Sequence, residues 1–312
     1  MQNGSCVLGP FSLLSRLGEG GMGNVWLGTT DSGVVPSDKP VAVKVTALDH
    51  RPIYGICAKN EWEIGRRFRH PGLPRYLEMW EGPKEICVAM EKIDGVDLYT
   101  LLKSFGRLHP LLSVEILIKV CEALAYLHEL TDEHGEPLCA VHCDVKPENI
   151  LLTPRGEVIL MDFGIVHYLG MHPYTHNSAF GTACYVSPEQ ACAVALDHRS
   201  DLFTVGSLLY ELLLRRRAFY DGRGEQETMR KAVSCMEEKG RLRRYRPLRK
   251  WPRLSGLVEF CHQYYPEGRP QSAWELCGIL RTLLAELPCD SQESFPAWAA
   301  QVVPTLMGTC PL

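Results

Sequence analysis

The sequence predicts an α+β chain of two lobes: a smaller N-terminal antiparallel β lobe carrying one helix, and a larger, mainly helical C-terminal lobe. Three observations carry this. The chain has 312 residues and is 46% hydrophobic, enough to bury a substantial core in one large domain or two lobes. From Phe11 to about Met90 the apolar runs are short and β-rich (FSLLSRLG, NVWLGTT, VAVKVTA, ICVAM), with one helical stretch at about 56–69 among them. After Gly95 the period becomes helical, and 113–130, 197–214, 225–239 and 272–287 are amphipathic candidates. The expected division is therefore 11–90 for the sheet lobe, 91–95 (EKIDG) for a hinge, 96–287 for the helical lobe and 288–312 for a tail or linker stub of turn-forming composition.

In chain order, the first segment with chemistry is LGEGGMGNVWLG, where Gly18, Gly20 and Gly23 form a G-x-G-x-x-G-x-V pattern. Glycines let backbone N–H groups approach phosphate oxygens with no Cβ in the way. The spacing alone also suits an ordinary glycine-rich hairpin. A dinucleotide-binding turn needs a helix after the glycines, whereas VWLGTT continues as a second strand, so a phosphate-covering hairpin is the better reading. Lys44 ends the strand VAVK, where a buried ammonium is costly unless an anion meets it. Glu61 in the helical stretch is the candidate partner. Gly65, four residues further on, predicts a loosely held helix, because a mid-helix glycine costs about 1 kcal/mol relative to alanine and contributes no packing. On that reading Gly65→Leu should favour the Lys44–Glu61 pair.

VHCDVKPENI at 141–150 holds an acid, a base and an amide at fixed spacing. Asp144 suits accepting or orienting a hydroxyl proton, Lys146 suits neutralising a transferring phosphoryl group, and Asn149 offers an oxygen to a hard divalent cation. MDFGI at 161–165 adds Asp162, a second hard ligand on the next hairpin. Two oxygen ligands from adjacent segments suit Mg²⁺ carried by ATP.

Taken in order, these segments resemble the protein kinase family over roughly 11–287, and the resemblance implies a bilobal protein-kinase-like fold. SPE at 187–189, Asp201 in RSDLFTVG and Arg269 in EGRP are similar to the family's C-lobe anchors, Asp201 steadying the catalytic loop and Arg269 pairing with Glu189. Lys146, with Thr182 in GTACYVSPE, resembles the serine/threonine class. GGMGNVW, SPEQ and the insertion HELTDEHGEPLCAVH resemble bacterial members. The resemblance implies that Val25, Ala42 and Leu151 sandwich the adenine of ATP, although all three also read as plain core positions. It further implies that Glu91 and Ile93 read the adenine edge through their backbones, that Met90 is the gatekeeper and that Asp97 holds a ribose hydroxyl. Lys44 with Glu61 would hold the α and β phosphates, Asn149 and Asp162 would hold Mg²⁺, and the product would be phosphorylated serine or threonine on a protein substrate. Cys143 stands where many relatives have an arginine that grips a phosphate on the activation segment. Cysteine has neither charge nor fork, so phosphorylation at Ser178 should not gate this enzyme, and a regulatory partner or an additional domain is expected to do so.

Composition narrows the alternatives. A formal charge of −4, from 33 basic against 37 acidic residues, argues against nucleic acid as a partner of the whole surface. The run RLRRYRPLRKWPR at 241–253 reads as a solvated face, with docking of an acidic partner or nucleic acid as the alternative. The 13 cysteines include no C-x-x-C pair and fit reduced thiols in a cytoplasm. Residues 294–312 lack charges, but Pro296, Pro304 and Pro311 argue against a membrane segment. His167, His172 and His176 match no ligand spacing and read as solvated loop histidines. Two rival functions are an ATP-binding scaffold without transfer and a small-molecule kinase. The first is disfavoured because Lys44, Glu61, Asp144, Lys146, Asn149 and Asp162 are all present, the second because GTACYVSPE forms a platform for a peptide.

Overall fold

The computed structural model describes residues 6–48, 52–169, 182–220, 222, 224–234, 245–288 and 294–309. Six strands form one antiparallel sheet: β1 (Cys6–Leu8), β2 (Phe11–Gly20), β3 (Gly23–Thr30), β4 (Val41–Ala47), β5 (Tyr76–Glu81) and β6 (Glu85–Glu91), in the order β1-β2-β3-β4-β6-β5. Side-chain alternation sets its two faces. Val41 and Val43 join Phe11, Leu13, Cys87 and Ala89 in a cluster on one face, whereas Ala42 faces the large core that continues into the helical lobe. A one-residue slip of β4 would exchange the two sets. Lys44 is not at the strand end: β4 continues to Ala47, and Lys44 stands opposite Val25 on one side and Val88 on the other.

Helix α1 (Pro52–Gly65) covers the inner face of the sheet and begins and ends four residues before the expected 56–69. Proline is well placed at a first helical position, and Gly65 ends the regular helix, after which Arg67 and Phe68 donate to Ile64 and Gly65 in a tighter turn.

The rest of the described chain is mainly helical. Its helices are α2 (Leu98–Phe105), α3 (Pro110–His128), α4 (Pro188–Ala191), α5 (Arg199–Leu214), α6 (Glu225–Val233), α7 (Pro252–Cys261), α8 (Ala273–Glu286) and α9 (Phe295–Thr309). A small sheet of β7 (Val96–Asp97), β8 (Ile150–Leu152) and β9 (Val158–Leu160) lies at the junction with the six-stranded sheet. Helix α3 packs along α8, and α5, buried along almost its whole length, packs on α7. The expected helices at 113–130, 197–214 and 272–287 correspond to α3, α5 and α8. Residues 235–239 of the expected 225–239 helix lie outside the described residues. Helices α2 and α7 span only 8 and 10 residues, too short for their period to stand out in the sequence.

The tail differs from the expectation. Part of the segment read as a linker stub is helix α9, whose Phe295, Ala299, Val303 and Leu306 form one buried stripe in the main core. Pro296 falls in the first turn, where its missing N–H costs nothing, and packing of the stripe outweighs Pro304 inside the helix. Gly156, with φ +77° between β8 and β9, lets α9 approach: a Cβ there would lie 2.9 Å from the Cα of Pro296. Among the described residues no helix is long and apolar enough to cross a membrane.

Candidate active site

A cleft of about 680 Å³ opens between the six-stranded sheet and the helical lobe. It is lined by Gly18, Gly20, Gly23, Val25, Ala42, Lys44, Glu61, Met90, Glu91 and Ile93 from the sheet lobe and its exit, and by Asp144, Lys146, Asn149, Leu151, Asp162 and Thr182 from below. Of the residues singled out from the sequence, Asp97 lies outside this lining. Its carboxylate caps α2, accepting from the backbone N–H of Thr100 at 2.7 Å and from the Thr100 hydroxyl at 2.9 Å. The three glycines differ too. A Cβ at Gly23 would strike the Val45 carbonyl at 2.4 Å, so close strand approach demands that glycine, whereas Gly18 and Gly20 meet no such obstacle and keep the hairpin tip slim.

Lys44 is shared between two carboxylates. Its Nζ donates to Glu61 Oε2 at 2.8 Å and to Asp162 Oδ1 at 2.6 Å. Burial works against its charge, but the two carboxylates outweigh that and hold its pKa above the ordinary lysine value. Burial likewise opposes ionisation of Asp162, yet the Lys44 ammonium brings its carboxyl down to about 2. Asp162 has φ +62°, the left-handed region.

The helix bearing Glu61 is not loosely held. The space beside Gly65 is taken by the ring of Tyr76, which would lie 2.5 Å from a Cβ at position 65, and the Tyr76 hydroxyl donates to Glu61 Oε1 at 2.8 Å. Gly65→Leu would drive that ring away, which reverses the expectation drawn from helix propensity alone.

Below the cleft, Asp144 is 8% exposed and gathers the segments around it. Its Oδ2 accepts from Lys146 Nζ at 2.6 Å and from Asn149 Nδ2 at 3.0 Å. Its Oδ1 accepts from the Thr182 backbone at 3.2 Å and from the Thr182 hydroxyl at 3.1 Å, and that hydroxyl accepts from Lys146 at 2.9 Å. Because Asn149 Nδ2 also donates to the Asp144 carbonyl at 2.9 Å, its amide oxygen is the atom left to meet a cation.

The loop carrying Asp144 is anchored from underneath. Asp201, 1% exposed at the start of α5, accepts from the backbone of His142 at 2.8 Å and of Cys143 at 2.9 Å, and from His128 Nε2 at 2.9 Å. Burial would raise the Asp201 carboxyl, but the His128 hydrogen bond holds it below the ordinary value. These bonds keep Cys143 at φ +69°. Burial, and then the Asp201 charge, push the Cys143 thiol well above its usual range, so it is a poor nucleophile. The Cys143 carbonyl accepts from Gln190 Nε2 at 2.9 Å, and Gln190 is itself fixed in a capping box with Ser187. Arg269 grips Glu189 at 2.6 and 2.8 Å.

Tyr76, Gln190 and His128 are therefore structural members of the site that the motif reading missed. Gln190 directly follows the SPE anchor, where SPEQ points to lineage and not to a contact, and no spacing singles out the other two. His167 is not a solvated loop residue: it is half-buried, and its backbone exchanges hydrogen bonds with Val141 at 2.7 and 2.8 Å. Ser178, His172 and His176 lie outside the described residues, as do 241–244 of the basic run. Of that run, Lys250 lies over the Trp251 ring at 3.8 Å and Arg253 pairs with Glu286.

Residues 11–278 match the protein kinase domain. Tyrosine-protein kinase MasK of Myxococcus xanthus is 30% identical over 289 residues, covering 89% of this chain and 43% of that protein. Serine/threonine-protein kinase PrkC of Bacillus subtilis is 31% identical over 227 residues, covering 69% and 32%. Serine/threonine-protein kinase PknB of Mycolicibacterium smegmatis is 34% identical over 213 residues, covering 65% and 32%. The chain thus spans less than half the length of these relatives. With the two-lobed fold, the cleft and the ordered segments matching from the glycine hairpin to α8, this chain belongs to the protein kinase domain family.

Proposed function

We propose that the chain transfers the γ-phosphoryl group of ATP to serine or threonine hydroxyls of protein substrates in bacterial signalling. The observation that carries this reading is the Thr182 hydroxyl, which donates to Asp144 and accepts from Lys146. An alcohol placed there has its proton aimed at a carboxylate and its oxygen beside a cation, the arrangement an acceptor hydroxyl needs.

The residues present fit ATP with Mg²⁺. Asn149 and Asp162 offer two hard oxygens, and Lys44 offers an ammonium at the same wall of the cleft. Val25, Ala42 and Leu151 offer apolar surface for a base, with Met90 behind them. The Glu91 N–H already donates to Arg75, so Glu91 would contribute its carbonyl, with Ile93 beside it. Asp97 is engaged as a helix cap with one bond to each oxygen, and a ribose hydroxyl would have to use a remaining lone pair. When bound, Mg·ATP supplies the transferable phosphoryl group and much of the neutralising charge. The chain's own work is to hold Lys44 against Glu61, to orient the incoming hydroxyl with Asp144, and to balance the reacting oxygens with Lys146.

Activity independent of activation-segment phosphate belongs to the same reading. Cys143 presents no cation, and its loop is held by Asp201 and Gln190 instead. Ser178→Ala should keep most of the activity, with gating left to a partner or a further domain in the cytoplasm. The similarity to a protein named as a tyrosine kinase gives a second acceptor class some support. The test is transfer from labelled Mg·ATP to a basic test protein, followed by phosphoamino-acid analysis. Phosphoserine and phosphothreonine support the reading, phosphotyrosine alone favours the second class, and nucleotide binding without transfer makes the chain a scaffold.

A further inference from the structure

Glu61 has two oxygens, and different side chains hold them. Oε2 accepts from Lys44 at 2.8 Å and Oε1 accepts from the Tyr76 hydroxyl at 2.8 Å, with Glu61 1% exposed and Tyr76 6% exposed. The Tyr76 ring meets Phe68 edge-on at 5.8 Å between centroids, and Phe68 meets Phe163 at 4.6 Å. Phe163 follows Asp162, the second partner of Lys44. Tyr76 thus meets Glu61 directly through its oxygen, while its ring leads through Phe68 to Phe163, the neighbour of Asp162.

The hydroxyl is decisive because Lys44 divides its ammonium. A single shared donor leaves the Glu61 carboxylate free to turn about its last bond. A second hydrogen bond to an ionised oxygen removes that freedom and satisfies an acceptor that burial would otherwise leave bare. Tyr76 reaches Glu61 only because position 65 is glycine. A Cβ there would stand 2.5 to 2.7 Å from three ring carbons.

We propose that Tyr76 is a positioning residue that orients Glu61, and through it Lys44, for phosphate binding, and that Gly65 and Tyr76 form one matched unit. The proposal rests on the reading of Lys44 and Glu61 as the phosphate-holding pair.

The test uses the full chain and three readouts: steady-state transfer, thermal unfolding, and acylation of Lys44 by an amine-selective reagent in the nucleotide-free protein, followed by mass spectrometry. Tyr76→Phe keeps the ring and loses the donor. It should leave the unfolding midpoint nearly unchanged, lower kcat/KM for Mg·ATP about tenfold, and speed Lys44 acylation severalfold. Gly65→Leu should impair transfer and speed acylation beside Tyr76, and should do neither to the same degree in a Tyr76→Ala background, where the space is vacant. If Tyr76→Phe leaves both kcat/KM and Lys44 acylation at the wild-type level, the hydroxyl is idle and the proposal falls. If Gly65→Leu does equal damage in both backgrounds, the matched unit falls. If no variant or wild-type protein transfers phosphate but acylation responds as described, positioning by Tyr76 stands and the phosphotransfer reading fails.

Discussion

Lys44 with Glu61 and Arg269 with Glu189 are both buried ion pairs joining distant parts of the chain, yet they are finished differently. Arg269 is 1% exposed and spends its guanidinium completely: two bonds to Glu189, and others to the carbonyls of Gln263 at 2.8 Å, Arg199 at 3.0 Å and Tyr264 at 2.8 Å. Ser200 adds a further donor to Glu189. A planar fork with every N–H direction occupied has one low-energy arrangement. Lys44 makes single contacts to two carboxylates and borders the cleft. A point charge with rotatable donors can be redistributed when another anion enters, at little cost in geometry. Saturation marks the C-lobe pair as an anchor, and sharing leaves the cleft pair able to rearrange.

Removing the cation of the anchor and the catalytic carboxylate of the cleft should separate stability from activity. Arg269→Ala strands a buried carboxylate and should cost about 3–5 kcal/mol in denaturant unfolding. Arg269→Lys should recover only part of this, because lysine lacks the fork. A loss from Arg269→Ala no larger than that of a surface substitution would show that Glu189 is solvated or protonated at will, and the contrast would collapse. In the cleft, Asp144→Asn should reduce kcat by about 10²–10⁴-fold while nucleotide affinity and unfolding stay near wild type. Undiminished transfer by that variant would remove Asp144 from the mechanism.

Acid should strike the anchor in a defined direction. Burial raises the Glu189 carboxyl, but the Arg269 hydrogen bonds and charge outweigh it and leave the folded-state pKa below the ordinary value. Its stabilisation is therefore fully present above the unfolded glutamate pKa of about 4.3 and is lost as pH falls through the lower folded value. Unfolding midpoints measured from pH 7 to pH 3 should fall below about pH 4 in wild type, and this component should be absent from Arg269→Ala. A smaller effect is expected at Gln190, which links the segment beginning with Ser187 to the catalytic loop. Gln190→Ala loses the capping box and leaves the Cys143 carbonyl without that donor, a cost of about 1–2 kcal/mol with a modest fall in kcat. The smallest effect concerns thiols. A cysteine-selective reagent near pH 7.5 should label the exposed Cys6, Cys139 and Cys192 and spare Cys143, whose thiol burial has pushed up.

Much of the cleft was legible because its chemistry comes in short, contiguous words. A glycine hairpin, an acid, a lysine and an amide within six residues, and an aspartate before Phe-Gly each state a residue type that backbone geometry will present whatever surrounds it. Partners assigned across longer gaps, Glu61 for Lys44 and Glu189 for Arg269, were reachable because a buried charge requires an opposite one and the resemblance supplied candidates. What failed were readings of space. Gly65 looked like a hole because helix propensity counts only the helix, and α9 looked like a stub because prolines and a lack of charge hide a four-residue apolar stripe.

From the amino-acid sequence alone came the two-lobed α+β architecture, four of the strand segments and three of the long helices, and the set of ionisable groups that meet in the cleft. Period, charge and glycine placement are local properties, and local properties survive without coordinates. Only the tertiary structure decided that Tyr76 fills the space beside Gly65 and meets Glu61, that Gln190 joins Asp201 in holding the loop that carries Asp144, and that α9 closes the core. Each depends on which surfaces come within a few ångströms across a fold, and packing of that kind is settled by shape and by the pairing of buried polar atoms, neither of which has a period along the chain.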